Sequence, residues 1–312
     1  MTDSQEWPAI PFDPWIDTCS ALHLYTQIVG KYRLAHTPWV NHSWHATLYV
    51  NADGLTTGLI PDGPGVTIQF DLQRQRLVAS CATGTTSGFA LEPMSVAEFD
   101  LRFKEAIATL GGSPNYHGRP NELPEVTPFA NDVAERPWDA DAVSRFHRAL
   151  VQIDGVFNEF RTGFLGKISP VHLFWGSFDL AVTRFSGRSA PLHPGGIPNL
   201  PDPITQEAYS HEVSSAGFWP GGGDIKEPCF YSYAYPTPDG FPEQPVKPEA
   251  ARFDEKLGEF VLPYEAVRLA PHPRAALLEF LQSTYDAASG LAGWEENLSC
   301  AIGQKGVPRI VG

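Results

Sequence analysis

Ten histidines are present, and several stand in Trp- and Gly-rich segments otherwise made for packing. His42, Trp44 and His45 fall in the run NHSWHATLYV, and His172 and Trp175 fall in VHLFWGSFDL. Read as strands, alternation puts His42 and Trp44 on one face, with His45 and Thr47 on the other. The same rule puts His172, Phe174 and Phe178 on one face of the second strand, and Trp175, Ser177 and Asp179 opposite. Two convergent imidazoles would suit a transition metal or a general acid/base pair. The plainer alternative is a hydrogen-bonded histidine at a strand end.

The stretch 184–223 carries the most further chemistry: Arg184, Arg188, His193, Asp202, His211-Glu212 and Trp219 followed by Pro220 and Gly221 to Gly223. Long irregular segments that keep such residues are commonly functional. The expected catalytic set is His172, His193, His211 and Glu212. Metal ligation is expected of His42, His172, His193 and His211, with zinc or iron as the divalent ion. Trp44, His45, Trp175, Arg184, Arg188 and Trp219 are the expected ligand-binding residues. The arginines would clamp a carboxylate or phosphate, or simply form surface ion pairs.

Spacing restrains these readings. No HExxH occurs, and neighbouring His211 and Glu212 would point to opposite strand faces. The glycine run lacks the Lys-Ser/Thr of a phosphate loop, and there is no dinucleotide GxGxxG. No GxSxG elbow supports a serine hydrolase. Lys31 and Arg33 fit compensation of a helix dipole.

Composition excludes whole classes. With 22 Lys+Arg against 36 Asp+Glu, the net charge is -14, so nucleic-acid and anionic-membrane partners are not expected. A hydrophobic fraction of 42% supports a full core. No run reaches the ~20 apolar residues of a membrane span, and Met1 to Glu6 lack the features of a signal peptide. The four cysteines are scattered with no CxxC, as free thiols of a reducing compartment would be. A cytoplasmic protein binding a small molecule is expected.

The elements that must position these residues read as follows. An extended arm at 1–12 precedes a helix capped at Asp13-Pro14 and stopped at Thr37-Pro38. Strands are expected over 44–50, 55–60, 66–72, 76–81 and 88–91. A helix follows over 95–110, with Ser95 as cap and Glu98 in the capping-box position. A Pro-rich connector covers 113–138, and a second long helix covers 139–164. Strand material is expected over 171–185, 209–218, 229–235 and 257–262, a Gly/Pro segment over 187–203, and a helix over 274–288.

The order helix, strands, helix therefore occurs twice. Residues 41–61 align without gaps on 171–191, placing His42 on His172, Trp44 on Phe174 and Pro61 on Pro191. This predicts an α+β fold of two pseudo-repeated halves, approximately 13–112 and 139–290. Each would be a small antiparallel sheet flanked by helices, and together they would form one compact domain over 1–312. Ligand sites favour such junctions.

The segments WPAIPFDPWIDTCSALHLYTQIVGKYRLA, VNHSWHATLYV, SPVHLFWGSFDLAVTRFSGR, HPGGIPNLP and YSHEVSSAGFWPGGG together resemble the domain of unknown function 5996 family of bacterial proteins, over roughly 7–295. The resemblance implies a full-length bacterial unit and carries over no activity, cofactor or catalytic set. The residues themselves point to a small-molecule enzyme with a His-rich, metal-dependent site at the junction of the halves. The alternative is a non-catalytic protein whose aromatic, Arg-lined cleft holds a small ligand.

Overall fold

The computed structural model describes residues 7–124, 126–222 and 225–304. Residues 1–6 of the expected arm and Gly223 of the glycine run lie outside the described residues. Six α-helices and thirteen strands occur among the described residues, in a mixed α+β arrangement of antiparallel sheets.

Helix α1 (Phe12–His36) is buried around most of its circumference from Trp15 to Arg33. A helix without a solvent face belongs inside the protein, and α1 packs against the first sheet and two other helices. It stops at Thr37, which the following Pro38 drives to an extended conformation (φ -114°, ψ 132°). Lys31 and Arg33 do not serve as solvent-facing dipole partners. Lys31 reaches the Asn121 side chain at 2.6 Å, and Arg33 donates to the Thr47 carbonyl.

The first sheet is a meander of β1 (Tyr49–Val50), β2 (Gly54–Ile60), β3 (Val66–Asp71), β4 (Arg76–Cys81) and β5 (Thr86–Ala90), side by side in that order. Its β1–β2 turn is closed by the Asn51 side chain, which accepts from the backbone of Asp53 and Gly54. Strand β6 (Met94–Ser95) leads into α2 (Val96–Thr109), whose Ser95 cap accepts from the Glu98 amide. The connector then pairs β7 (Glu135–Arg136) with β6. Asp139 caps α3 (Ala140–Arg161) by accepting from the Ala142 amide.

The second sheet contains β8 (His172–Phe174), β9 (Asp179–Ser189), β10 (His211–Trp219), β11 (Cys229–Tyr235), β12 (Arg252–Asp254) and β13 (Glu259–Pro263). Its spatial order is β12-β13-β11-β10-β9-β8. Helices α4 (Asp202–Ala208), α5 (Tyr264–Arg268) and α6 (Pro273–Leu291) complete the chain. The two sheets meet where Leu48 and Leu173 exchange backbone hydrogen bonds of 2.9 and 2.8 Å. One cluster of buried apolar side chains extends from Trp7 to Trp294. Among the described residues, no helix is long and apolar enough to cross a membrane.

Two expected strands are broken. Residues 41–43 form a 3-10 turn in which His42 and Ser43 have φ of 59° and 56°, so only Tyr49–Val50 is a strand there. Left-handed residues end period-2 alternation, so the turn rather than a strand face brings His42 and Trp44 together, their ring centres 5.3 Å apart. The 171–185 segment is a hairpin rather than one strand: Phe174 pairs directly with Asp179, and Phe178 in the turn has φ 58°. Asp179 therefore shares a face with His172 and Phe174 instead of opposing them. Helix α4 occupies part of the expected Gly/Pro segment.

Candidate functional site

Cross-strand register sorts the second sheet into two faces. Leu180, Val182, Arg184, Phe218, Phe230 and Leu262 face α3 and α6, and nearly all are fully buried. The other face carries His172, Phe174, Asp179, Thr183, Ser215, Tyr231 and Tyr233. A cleft of about 220 Å³ opens over this second face. Its cover comes from α4, the 3-10 turn around His42, and the connector at Asn121-Glu122.

Glycines make room for three of its side chains. A Cβ on Gly30 of α1 would stand 2.3 Å from the Trp175 indole. The indole fills that gap and donates to the Ala46 carbonyl at 2.7 Å. A Cβ on Gly176 would meet the Glu122 carboxyl at 1.9 Å, and one on Gly217 would meet the Tyr231 ring at 2.3 Å. Tyr231 thus lies flat across β10 and donates to Asp179, which also accepts from Ser177. Thr183 and Ser215 share a hydrogen bond of 2.8 Å, as do Tyr209 and Tyr233.

Helix α1 sets the connector from below. His23, Gln27 and Lys31 follow one another at four-residue intervals and so share a helix face. His23 contacts the Gly176 carbonyl at 2.9 Å through Nε2. Gln27 accepts from the Asn121 amide at 2.7 Å and donates to its carbonyl at 2.9 Å. Lys31 holds the Asn121 side chain. Glu122 is thereby fixed in the left-handed region at φ 58°.

The carboxyl groups are strongly perturbed. Burial pushes Glu122 up to about 7, the neighbouring Asp179 charge adds to the rise, and Lys31 opposes it. Burial likewise raises Asp179, against the hydrogen bonds it accepts from Ser177 and Tyr231. Glu259, on the same sheet face beyond Tyr233, is pushed up to about 8 by burial and then by Asp179 and Asp254. His172 is 1% exposed, and neither ring nitrogen has a hydrogen-bond partner among the described protein atoms. Burial, then Arg161 and Arg33, lower it to about 3, so the imidazole is neutral.

The expected site residues separate into two groups. His172, His42, Trp44 and Trp175 line the cleft. His42 makes a 3.0 Å contact from Nδ1 to the Ala208 carbonyl and receives Lys167 at Nε2, at 2.7 Å. With both nitrogens engaged, it presents no free lone pair. His45 sits behind the turn, its ring bonded to the Val40 backbone. His193 stacks on Tyr209 with ring centres 4.7 Å apart and accepts from the Gly195 amide. His211 bonds Ser210, and its ring lies 6.3 Å from that of His42. Among the described residues, no three His, Cys, Asp or Glu side chains are grouped to hold a metal ion. The expected four-histidine cluster does not assemble.

Glu212 and the arginines lie away from the cleft lining. Glu212 accepts from Arg188 Nη2 at 2.6 Å and from Ser186 at 2.9 Å. Arg188 also donates to the Ala292 carbonyl. Arg184 is fully buried on the helix-covered face, with its guanidinium carbon 3.5 Å from the Phe160 ring centre and 4.2 Å from that of Tyr285. Trp219 packs on Tyr231 from outside, at 4.4 Å. Among the described residues lining the cleft, none is lysine or arginine. This cleft is acidic and aromatic, whereas Arg188 and Glu212 line a separate pocket of about 330 Å³ together with Tyr235 and Trp294.

Sequence reasoning placed Tyr209 in the chemistry-rich stretch but overlooked Glu122, Tyr231 and Tyr233. The alternating tyrosines of CFYSYAY were a usable signal, since residues two apart share a strand face. Glu122 had none, because its position depends on contacts with α1.

The molecule is thus an α+β protein with two antiparallel sheets joined edge to edge and a cleft on one face of the second. Residues 7–300 match the model of a family of unknown function (DUF5996), and the chain belongs to that family. No curated protein and no solved structure matches the chain.

Proposed function

We propose that the protein is an enzyme acting on a small molecule, with Glu122 as its acid/base group and Asp179 as the fixed carboxyl group beside it. The observation carrying this reading is the placement of two carboxyl groups and a neutral imidazole in one apolar-walled cleft. A carboxyl group poised near neutrality can donate and accept a proton at working pH. Glu122 is the proton carrier. Asp179 and Tyr231 form the fixed polar floor. Trp44, Phe174 and Phe185 supply apolar walls.

The same reading retains two pseudo-repeated halves within one cytoplasmic domain. Each half runs helix, antiparallel sheet, helix, with the second departing from a plain meander by α4 between β9 and β10 and by β13 lying between β11 and β12, and the Leu48–Leu173 contact joins their first strands. The cleft lies close to that join, as His172 on β8 and Ala46 beside Leu48 both line it.

The test is a small-molecule library screened against the full chain by thermal shift, followed by mass spectrometry of the recovered compounds. A stabilising compound should be chemically converted. Its turnover should fall roughly 100-fold or more in Glu122→Gln, with binding retained. Binding without conversion would replace the enzyme with a ligand-binding protein.

A further inference from the structure

We propose that the cleft takes a small organic cation, an ammonium or amidinium group on an apolar body, with its charge held between Glu122 and Asp179. This rests on the cleft being a small-molecule site and adds the chemical class of the ligand.

Charge is the first argument. Three carboxyl groups face this side of the second sheet, Glu122 and Asp179 in the cleft and Glu259 beyond Tyr233. Lys31 acts on Glu122 only through its charge, its hydrogen bond going to Asn121, while Lys167 is held by His42, and neither lysine lines the cleft. Buried negative charge is expensive unless a counter-charge is supplied. Arg184 and Arg188 do not supply it, since neither lines the cleft. A cation entering from solvent would.

Hydrogen bonding is the second argument. Each Asp179 oxygen accepts one bond, from Ser177 or Tyr231, and keeps a lone pair for another donor. His172 is an independent sign of a missing partner. Its nitrogens are buried and unpaired among the described protein atoms, although the ring lines the cleft. A neutral imidazole can accept from an N–H group. Phosphate or carboxylate ligands would bring like charge against the two carboxyl groups.

The walls are the third argument. Trp44 and Phe185 already flank a cation at the rim, the Lys167 ammonium lying 5.2 and 4.8 Å from their ring centres. Phe174 within the cleft and the exposed Trp39 at its mouth extend the aromatic surface. Aromatic faces attract ammonium and guanidinium groups, and more strongly when water is excluded.

Paired isosteres test the proposal: primary amines and amidines of graded size, each with its alcohol or amide and its carboxylate. Binding to the full chain is measured by calorimetry in two buffers of different ionisation enthalpy at pH 6. At least one amine or amidine should bind roughly tenfold or more tighter than its neutral partner. Glu122→Gln and Asp179→Asn should each weaken it by a similar factor. Wild-type protein should release protons as the cation binds, a readout independent of whether the variants fold.

Tighter binding of neutral or anionic partners overturns the cation assignment and leaves the small-molecule site standing, whereas cation binding without proton release overturns Glu122 as its counter-charge. If neither the panel nor the library binds, both readings fall.

Discussion

Tyr231 on β11 lies across Gly217 on β10 and donates its hydroxyl to the Asp179 carboxylate on β9. One side chain thus spans three strands, and the cleft floor depends on an absent Cβ. Gly217 has no left-handed backbone to excuse it, so its requirement is purely one of space. Burial pushes both Tyr231 and Asp179 upward, so the hydrogen bond joins a firmly protonated phenol to a carboxyl group away from water.

Gly217→Ala is therefore expected to displace Tyr231 and leave Asp179 short of a donor. Overpacking and a lost buried hydrogen bond together should cost about 2–4 kcal/mol. Urea unfolding measures it. Gly217→Ala combined with Tyr231→Phe should recover little, because the ring itself occupies the space. Tyr231→Ala should accommodate the added methyl, so the paired variants form a double-mutant cycle with strong coupling.

Glu122 should make the folded state less stable as pH rises through neutrality. Its folded value of about 7 lies above the ordinary 4.5. Between those values the folded state binds more protons, so stability is retained at the acidic end and lost towards pH 7. Glu122→Gln removes that contribution. The wild-type minus variant stability difference should fall by about 2–3 kcal/mol from pH 4.5 to 7.5. Histidines act in the opposite direction: His23 and His172 are lowered by burial to about 4 and about 3. Stability is lost as pH falls from the ordinary 6.5 towards those values, so the difference between proteins is the quantity to measure.

His172→Phe should separate stability from binding. A buried imidazole without a protein partner makes the free protein less stable, and an apolar ring of similar size removes that liability. Chemical denaturation should show a gain of about 1 kcal/mol, while affinity for a cleft ligand falls. A loss of stability exceeding about 1 kcal/mol would show that the imidazole helps hold the fold.

Legibility followed the range of the contacts involved. The cap at Ser95 and the stop at Thr37 were readable because each is closed by residues a few positions away, whereas Asp13, expected as a cap, lies inside α1, whose N-cap is Pro11 with no side-chain hydrogen bond. The 42–47 segment carries strand-forming residues but turns left-handed at His42. There the backbone amide is held at 2.8 Å by Glu207, 165 residues away. The connector read as a linker, yet Gln27 and Lys31 recruit Asn121 and so deliver Glu122 to the cleft. His193, His211 and Glu212 stand near one another in sequence. Strand direction and local partners disperse them, and imidazole frequency alone could not reveal that.

Arg184 supplies the sharpest contrast between residue type and position. In the sequence it suggested an anion clamp, whereas in the fold it is stacked between Phe160 and Tyr285 on the helix-covered face. Its Nη2 donates to the Phe160 carbonyl, and Nε and Nη1 have no hydrogen-bond partner among the described protein atoms. Burial lowers it to about 10, so it remains charged at neutral pH. The guanidinium therefore fills space and contacts aromatic faces at a considerable desolvation cost. Arg184→Met keeps most of the volume and removes the buried charge, so it should change stability by no more than about 1–2 kcal/mol. Arg184→Ala leaves a cavity against two rings and should cost about 3 kcal/mol or more. Neither should alter affinity for a cleft ligand beyond about twofold in folded protein, because the sheet separates the two sites. Calorimetric titration of both variants checks this, and a tenfold loss in Arg184→Met would return the arginine to the binding site.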